Sequence, residues 1–183
     1  MDRGLVETAQ RGDRDAFATL MGQVSDHMYA VAYRILRDPH LAEDAFQEAS
    51  LIAWRKLPTL REPDRFEAWV HRLLVHACYT ESRRRTRWTA TIRVLEVDAD
   101  AADDPPPEVL DRDEIERAFR DLSIEHRAVF VLHHYVGLPL VEVAETLGIP
   151  AGTARSRLHY ATQALRHALV PAPALATPKE RLA

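Results

Sequence analysis

The stretch "LPLVEVAETLGIPAGTARSRLHYATQALRHAL", Leu138 to Leu169, decides how the second half of the chain folds. Pro139 suits the first turn of a helix over "LVEVAETL", and Gly148 can adopt the left-handed conformation that ends it. The next helix starts near Pro150 and runs to about Leu169. Two short helices joined by a tight glycine turn make a helix-turn-helix. Ala144 is small where the two must approach closely, and Ile149, Ala154 and Leu158 can point inward. Arg155, Ser156, Arg157 and His159 are left on the outer side. From Gly148 to Leu169 there is no acidic residue, although the chain of 183 residues has a formal charge of -4. A helix that enters the major groove has phosphates on both flanks, so carboxylates there would be repelled. An ordinary solvated face mixes both signs. The segment therefore predicts contact with duplex DNA. Arginine can pair bidentately with guanine, and either arginine could read a base or touch only phosphate.

The helices around this pair follow from periodicity. "PEVLDRDEIERAFRDL" repeats Val109, Ile115, Ala118, Phe119 and Leu122 near a 3.6 period. Ser123 can cap "IEHRAVFVLHHYVG", whose apolar face is Ile124, Val129, Phe130, Leu132 and Val136, and Gly137 can end it. Three amphipathic segments precede them. The first starts at the cap Asp13 and repeats Phe17, Leu20, Met21, Val24, Met28, Val31, Ala32 and Ile35. The second starts at Asp38, with Pro39 in its first turn and Leu41, Ala45, Ala49, Ile52 and Ala53 on its apolar face. The third repeats Phe66, Trp69, Val70, Leu73, Leu74 and Ala77 and ends in Arg83, Arg84, Arg85 and Arg87. Cations suit a helix C-terminus, but four arginines in five positions exceed what capping needs and point to phosphate. "RKLPTLREPDR", between the second and third segments, is too polar for core and too rich in proline for helix. A basic loop flanked by Trp54, Phe66 and Trp69 has the composition of a site for unstacked single-stranded bases.

Charge divides the chain. Glu96 to Glu116 holds ten acids and one base, a net of -9 that leaves +5 on the remainder. "DADAADDPPPE" has no large apolar residue and cannot bury enough surface to fold. The expected organisation is all-α: a helical domain over 1–87, an acidic flexible linker over 88–110, a helix-turn-helix domain over 111–170 and a disordered tail over 171–183. No apolar run approaches the roughly 20 residues of a membrane span. The N-terminus lacks a signal-peptide apolar core, so a cytoplasmic protein is expected. The single cysteine, Cys78, excludes an internal disulfide and sits among apolar residues as a small buried hydrophobe. His133 and His134 diverge by about 100° on a helix, and His71 and His76, five apart, have no carboxylate set that completes a site, so no metal or other cofactor is expected. Walker, nucleophile-elbow and dinucleotide motifs are missing from the sequence, and the reading is not an enzyme.

Taken in order, "AEDAFQEASLIAW", "RFEAWVHRLLVHACYTESRRR" and "LPLVEVAETLGIPAGTARSRL" after "LSIEHRAVFVLHHYVG" resemble bacterial sigma factors of the two-domain extracytoplasmic-function (ECF) class. The resemblance spans roughly 5–87 and 108–169. It implies that the second helix of the N-terminal domain docks on the β′ coiled coil of RNA polymerase core through Asp44, Gln47, Glu48 and Trp54. It implies capture of flipped promoter −10 bases by Lys56, Arg61, Arg65, Phe66, Trp69 and His76, with Arg83, Arg84 and Arg85 nearby. It implies −35 recognition by Thr153, Arg155, Ser156, Arg157, His159 and Tyr160, docking of the second domain on the β flap, and a partner anti-sigma factor. The acidic linker would lie in the polymerase's RNA-exit path. Two positions depart from the family pattern: His76 stands where Asn is common, and Ala154 where Val is common. The competing readings are a stand-alone helix-turn-helix regulator, which leaves "DAFQEASLIAW" without a role, and a protein-interaction module, which needs no acid-free helix.

Overall fold

A computed structural model describes residues 2–95 and 110–169, with side-chain burial described over 2–88 and 115–169. Every regular element among them is helical. In chain order these are α1 (Arg3–Gln10), α2 (Arg14–Leu36), α3 (Pro39–Lys56), α4 (Phe66–Leu95), α5 (Leu110–Asp121), α6 (Ile124–Phe130), α7 (Leu140–Leu147) and α8 (Ala151–Leu169). The expected caps operate. Asp13 Oδ1 accepts from the backbone N–H groups of Asp15 and Ala16, both at 3.0 Å. Asp38 does the same for His40 and Leu41 at 2.9 and 3.1 Å. Each satisfies two of the four orphan donors at a helix start.

The first unit is held by α3 packed on α2 and α4. The face that α3 buries is Ala42, Ala45, Ala49 and Ala53, all fully buried. With no side chain beyond Cβ, these alanines let three helix backbones come close, and the larger residues come from the partners: Leu20, Met28, Val31 and Ile35 of α2, and Phe66, Val70 and Leu74 of α4. Cys78 is wholly buried, and desolvation pushes its thiol up to about 12. It is a hydrophobe in practice.

Three features differ from expectation. First, α1 precedes the three expected segments. Asp2 caps it by accepting from Gly4 N–H at 2.9 Å, and its buried Val6 and Ala9 close one end of the core. Second, α4 does not stop at the arginines but continues to Leu95, through residues expected to begin the linker. Nothing in "TRWTATIRVL" breaks a helix, and proline appears only from Pro105. The rest of the expected linker, 96–109, and the tail, 171–183, lie outside the described residues. Third, α6 runs into a π-helical turn, Val131–Tyr135, in which Val136 N–H donates to Val131 O at 3.0 Å. Gly137, at φ +83°, then ends the segment as expected.

In the second unit α5, α6 and α7 surround α8. Gly148 is left-handed (φ 65°, ψ 35°) and returns its N–H to Glu145 O at 3.2 Å. Ala144 and Ala154 are buried on either side of this turn. Pro139 sits one position earlier than expected, as the cap residue of α7.

The two units pack on each other. α7 lies against α4, α6 meets α2 and α4, and the π turn meets α2. Val143 and Leu132 of the second unit join one continuous buried cluster with the core of the first. His71 is 7% exposed beneath this contact. Burial, then the neighbouring His27, lowers its pKa below the ordinary value, with Glu67 acting weakly the other way. Its Nε2 has no hydrogen-bond partner. A histidine held neutral when folded binds fewer protons than the unfolded chain at acid pH, so stability is full above about 6.5 and falls as pH drops through the lower folded value. Burial acts in the same direction on His126 and His134. Urea unfolding midpoints should therefore fall between pH 7.5 and pH 5, and the fall should be smaller in His71→Gln. An unchanged fall would clear His71 of the effect.

Candidate nucleic-acid and polymerase interfaces

Three surfaces gather the residues singled out in the sequence. The first is the outer side of α8. Arg155, Ser156 and His159 are exposed, and Tyr160 is 60% exposed with its ring 4.6 Å from that of His126. Ser156 Oγ donates to Thr153 O at 3.0 Å, and Thr153 is half-buried at the helix start. Arg157 departs from expectation. It is half-buried, close enough to act electrostatically on Tyr79 of α4 and on Glu125 and His126 of α6. One face of α8 is therefore free for a groove, while Arg157 at its edge is turned toward the first unit.

The second surface is built by the 57–65 segment and the start of α4. The segment is more ordered than its composition suggests. It folds as two 3-10 turns, Leu57–Thr59 and Pro63–Arg65, with Leu57 and Pro63 buried as anchors. Gln10 of α1 donates its amide to Leu57 O at 3.1 Å and Leu60 O at 2.7 Å. Anchored in this way, Arg61 and Arg65 stand exposed at the rim of a cleft of about 820 Å³, beside the half-buried Trp69 and the exposed Arg72. The first unit brings three arginines to this cleft, Arg61, Arg65 and Arg72, and three carboxylates, Glu62, Asp64 and Glu67. Glu62 pairs with Arg65 at 3.0 Å, and Asp64 with Arg3 at 3.5 Å. Lys56 is exposed at the end of α3, and His76 is exposed on α4. Phe66 corrects the expectation: it is fully buried, 6.0 Å from the Trp69 ring, and supports that ring from below instead of reaching a base.

The arginines near the end of α4 do not share this cleft. Arg83, Arg84 and Arg85 line a separate groove of about 930 Å³ with Trp88, which is 68% exposed, and with Asp44 across from them on α3. Arg85 is ion-paired with Asp38. At 1.5 Å per residue, the helix puts roughly 25–30 Å between Arg85 and the Arg65 end of α4.

The third surface is the outward side of α3, opposite the alanine stripe. Asp44, Gln47 and Glu48 are exposed. Gln47 and Trp54 line an apolar hollow of about 520 Å³ with Phe17, Phe46 and Leu51. Trp54 packs 5.0 Å from Phe17, and Leu51 is 52% exposed. Sequence reasoning passed over Leu51, Phe17 and Phe46 because periodicity assigns apolar residues to the core; Phe17 and Phe46 do pack half-buried against it, yet with the exposed Leu51 they also line this hollow. It also passed over Arg72, which looks like an ordinary solvated cation on α4. Its Nη2 donates to Glu145 O of α7 at 3.0 Å.

Among the described residues no helix is long and apolar enough to cross a membrane, and no group of His, Cys, Asp and Glu is placed to hold a metal ion. Comparison with known proteins locates both units. Residues 20–88 match Sigma-70 region 2, and residues 118–167 match Sigma-70 region 4. The chain is 36% identical over 163 residues to the ECF RNA polymerase sigma factor SigL of Mycobacterium tuberculosis, covering 85% of this chain and 92% of that one. It is 34% identical to ECF RNA polymerase sigma factor SigE of Mycolicibacterium smegmatis, of whose length it spans 63%. The sigma factor RpoE solved with the anti-sigma factor NepR, from Bartonella quintana, shares the fold at 24% identity with a TM-score of 0.67, covering 84% of this chain and 96% of that one.

The buried and exposed members of the cleft should separate in stability measurements. Phe66→Ala should destabilise the chain by about 3–5 kcal/mol, the usual loss for a buried phenylalanine. Arg61→Ala and Arg65→Ala should stay within about 0.5 kcal/mol of the parent. Equal losses in denaturant melts would place the arginines in the fold rather than on its surface.

Proposed function

We propose a residue-level division of labour for this chain, which belongs to the ECF RNA polymerase sigma factors. The family function is to bind RNA polymerase core and direct it to promoters for transcription initiation. The observation that carries our assignment is the exposed outer side of α8, cationic and without acid, presented by the left-handed Gly148 turn between the buried Ala144 and Ala154.

In this reading Arg155, Ser156 and His159 enter the major groove of the −35 element, with Thr153 and Tyr160 at the flanks. Arg155 is the residue best placed to reach a base edge, since it is exposed in the second turn of α8, and N-terminal residues of a recognition helix reach deepest. Arg157 contacts DNA only once it leaves Tyr79. The −10 element is opened and held by the anchored 57–65 segment. Trp69 offers a face for an unstacked base, Arg61, Arg65 and Lys56 track its phosphates, and His76 extends the surface along α4. Arg83, Arg84 and Arg85, in their own groove, hold duplex backbone farther along.

Core polymerase docks on α3. Leu51 and Trp54 supply the apolar contact, and Asp44, Gln47 and Glu48 the polar rim, the usual anatomy of a specific interface. The second unit meets the β flap, and an anti-sigma factor holds the chain inactive, as NepR is bound to RpoE in the solved relative. The chemistry of RNA synthesis belongs to the polymerase, so the chain has no catalytic group of its own, and it works in the cytoplasm where the polymerase is.

Arg155→Ala should weaken holoenzyme binding to a −35 promoter fragment by about 1–3 kcal/mol if the guanidinium pairs with a guanine, and relax preference at one position. Unchanged selection among randomised −35 sequences would remove α8 from base reading. The double variant Asp44→Ala, Gln47→Ala should lower capture of core polymerase in a pull-down with its melting temperature preserved. Capture at the parent level would remove this face from docking.

A further inference from the structure

The cleft assigned to single-stranded promoter bases is not open in the free chain. Its far wall is α7 of the second unit and the turn that leads into it. Val136, Leu138, Glu142, Glu145 and Thr146 line the same cleft as Arg61, Arg65 and Trp69. Arg72, which stands beside Trp69 and would otherwise face phosphate, spends a guanidinium hydrogen bond on Glu145 O at 3.0 Å. Charge reinforces this cover. The first unit's three arginines and three carboxylates balance; Glu142 and Glu145 add two carboxylates and leave the covered cleft at a formal -2, histidines not counted. A polyanion is repelled from such a cleft and accepted far more readily once α7 departs.

The cover is held by contacts at the edge of the cleft, where His27 also lines it, and beyond it. Tyr135, in the π turn, lies under the Arg34 guanidinium at 3.8 Å and stacks on His27 at 5.3 Å with 13° between the rings. Arg37 pairs with Glu116 of α5. Arg157, from the DNA-facing helix, sits near Tyr79. We infer that the free chain is self-masked: α7 covers the base-capture cleft of the first unit as an internal acidic competitor for nucleic acid, latched by Tyr135 against Arg34 and His27. Release of the latch exposes the cleft and frees Arg157 at the edge of α8. The inference rests on the assignment of the 57–65 cleft to single-stranded DNA.

Tyr135 is the variant to make, because it is 39% exposed, belongs to neither set of DNA-contacting residues, and can be shortened without opening a core. Binding of the full-length chain, without polymerase, would be followed with a fluorescein-labelled random single-stranded DNA of about 12 nucleotides. Tyr135→Ala should bind about fivefold tighter than the parent, since apparent affinity rises with the open fraction. Glu142→Gln with Glu145→Gln should also bind tighter, through charge alone, with α7 still in place. Far-UV circular dichroism and melting temperature check that both variants fold, and X-ray scattering should show a larger radius of gyration for Tyr135→Ala only. Affinity equal to the parent in both folded variants, including no measurable binding in any of the three, overturns the masking. A separate arm tests the underlying assignment: Arg61→Ala with Arg65→Ala should impair promoter opening in the assembled holoenzyme. If opening is impaired while masking fails, the cleft assignment stands alone; if opening is normal, the assignment falls and the masking falls with it.

Discussion

The alanine stripe of α3 is the constraint on which the first unit depends. Ala42, Ala45, Ala49 and Ala53 recur at three- and four-residue intervals, and each is fully buried. The spacing keeps one narrow seam against α2 and α4, and the absence of side-chain volume sets how near those helices come. A larger residue in the seam would push the helices apart, at a typical cost of about 1–3 kcal/mol. Because the seam is narrow, the rest of α3 faces outward, including large apolar residues such as Leu51. The same economy that makes the core tight thus creates an apolar external face. Core and exposed apolar face are two sides of one packing decision.

The second unit shows how a small helical domain controls the direction of a charged face. Gly148 reverses the chain at positive φ, and Ala144 and Ala154 allow α7 and α8 to close around it. With those positions fixed, Arg155, Ser156 and His159 have only the outside to occupy. The sequence states this plainly, because helix periodicity, a glycine stop and a missing charge sign are all local. Caps at Asp13, Asp38 and Ser123 were legible for the same reason. What local patterns could not supply was the meeting of distant segments. Arg72 and Glu145 O are 73 residues apart in the chain, and neither has a pattern that names the other. Phe66 was misplaced because an aromatic at the edge of a basic loop has the same composition whether it faces a base or a core. Leu57 and Pro63, within that loop, were hidden by their polar neighbours.

Arg37 joins the two scales. It is the only described residue other than glycine at positive φ, 59°, at the C-terminus of α2. A non-glycine residue there is held against a steric preference of roughly 1 kcal/mol. Glycine would relieve the backbone but remove the side chain, and that side chain is only 15% exposed, pairs with Glu116 and lies 5.7 Å from the Phe119 ring. The turn between α2 and α3 and the seat of α5 are therefore set by one residue.

The π turn at Val131–Tyr135 has a consequence for phase. Closing a loop of i to i+5, as Val136 does on Val131, inserts one residue relative to an α-helix and rotates everything beyond it by about 100°. Tyr135 points at α2 because of that offset. Removal of a single residue from the turn would restore ordinary helical pairing and swing the ring a quarter-turn or more around the axis, away from Arg34 and His27. Chain length at this spot thus works as an angular setting, and relatives that differ here by one residue would share every helix while differing in how their two halves engage.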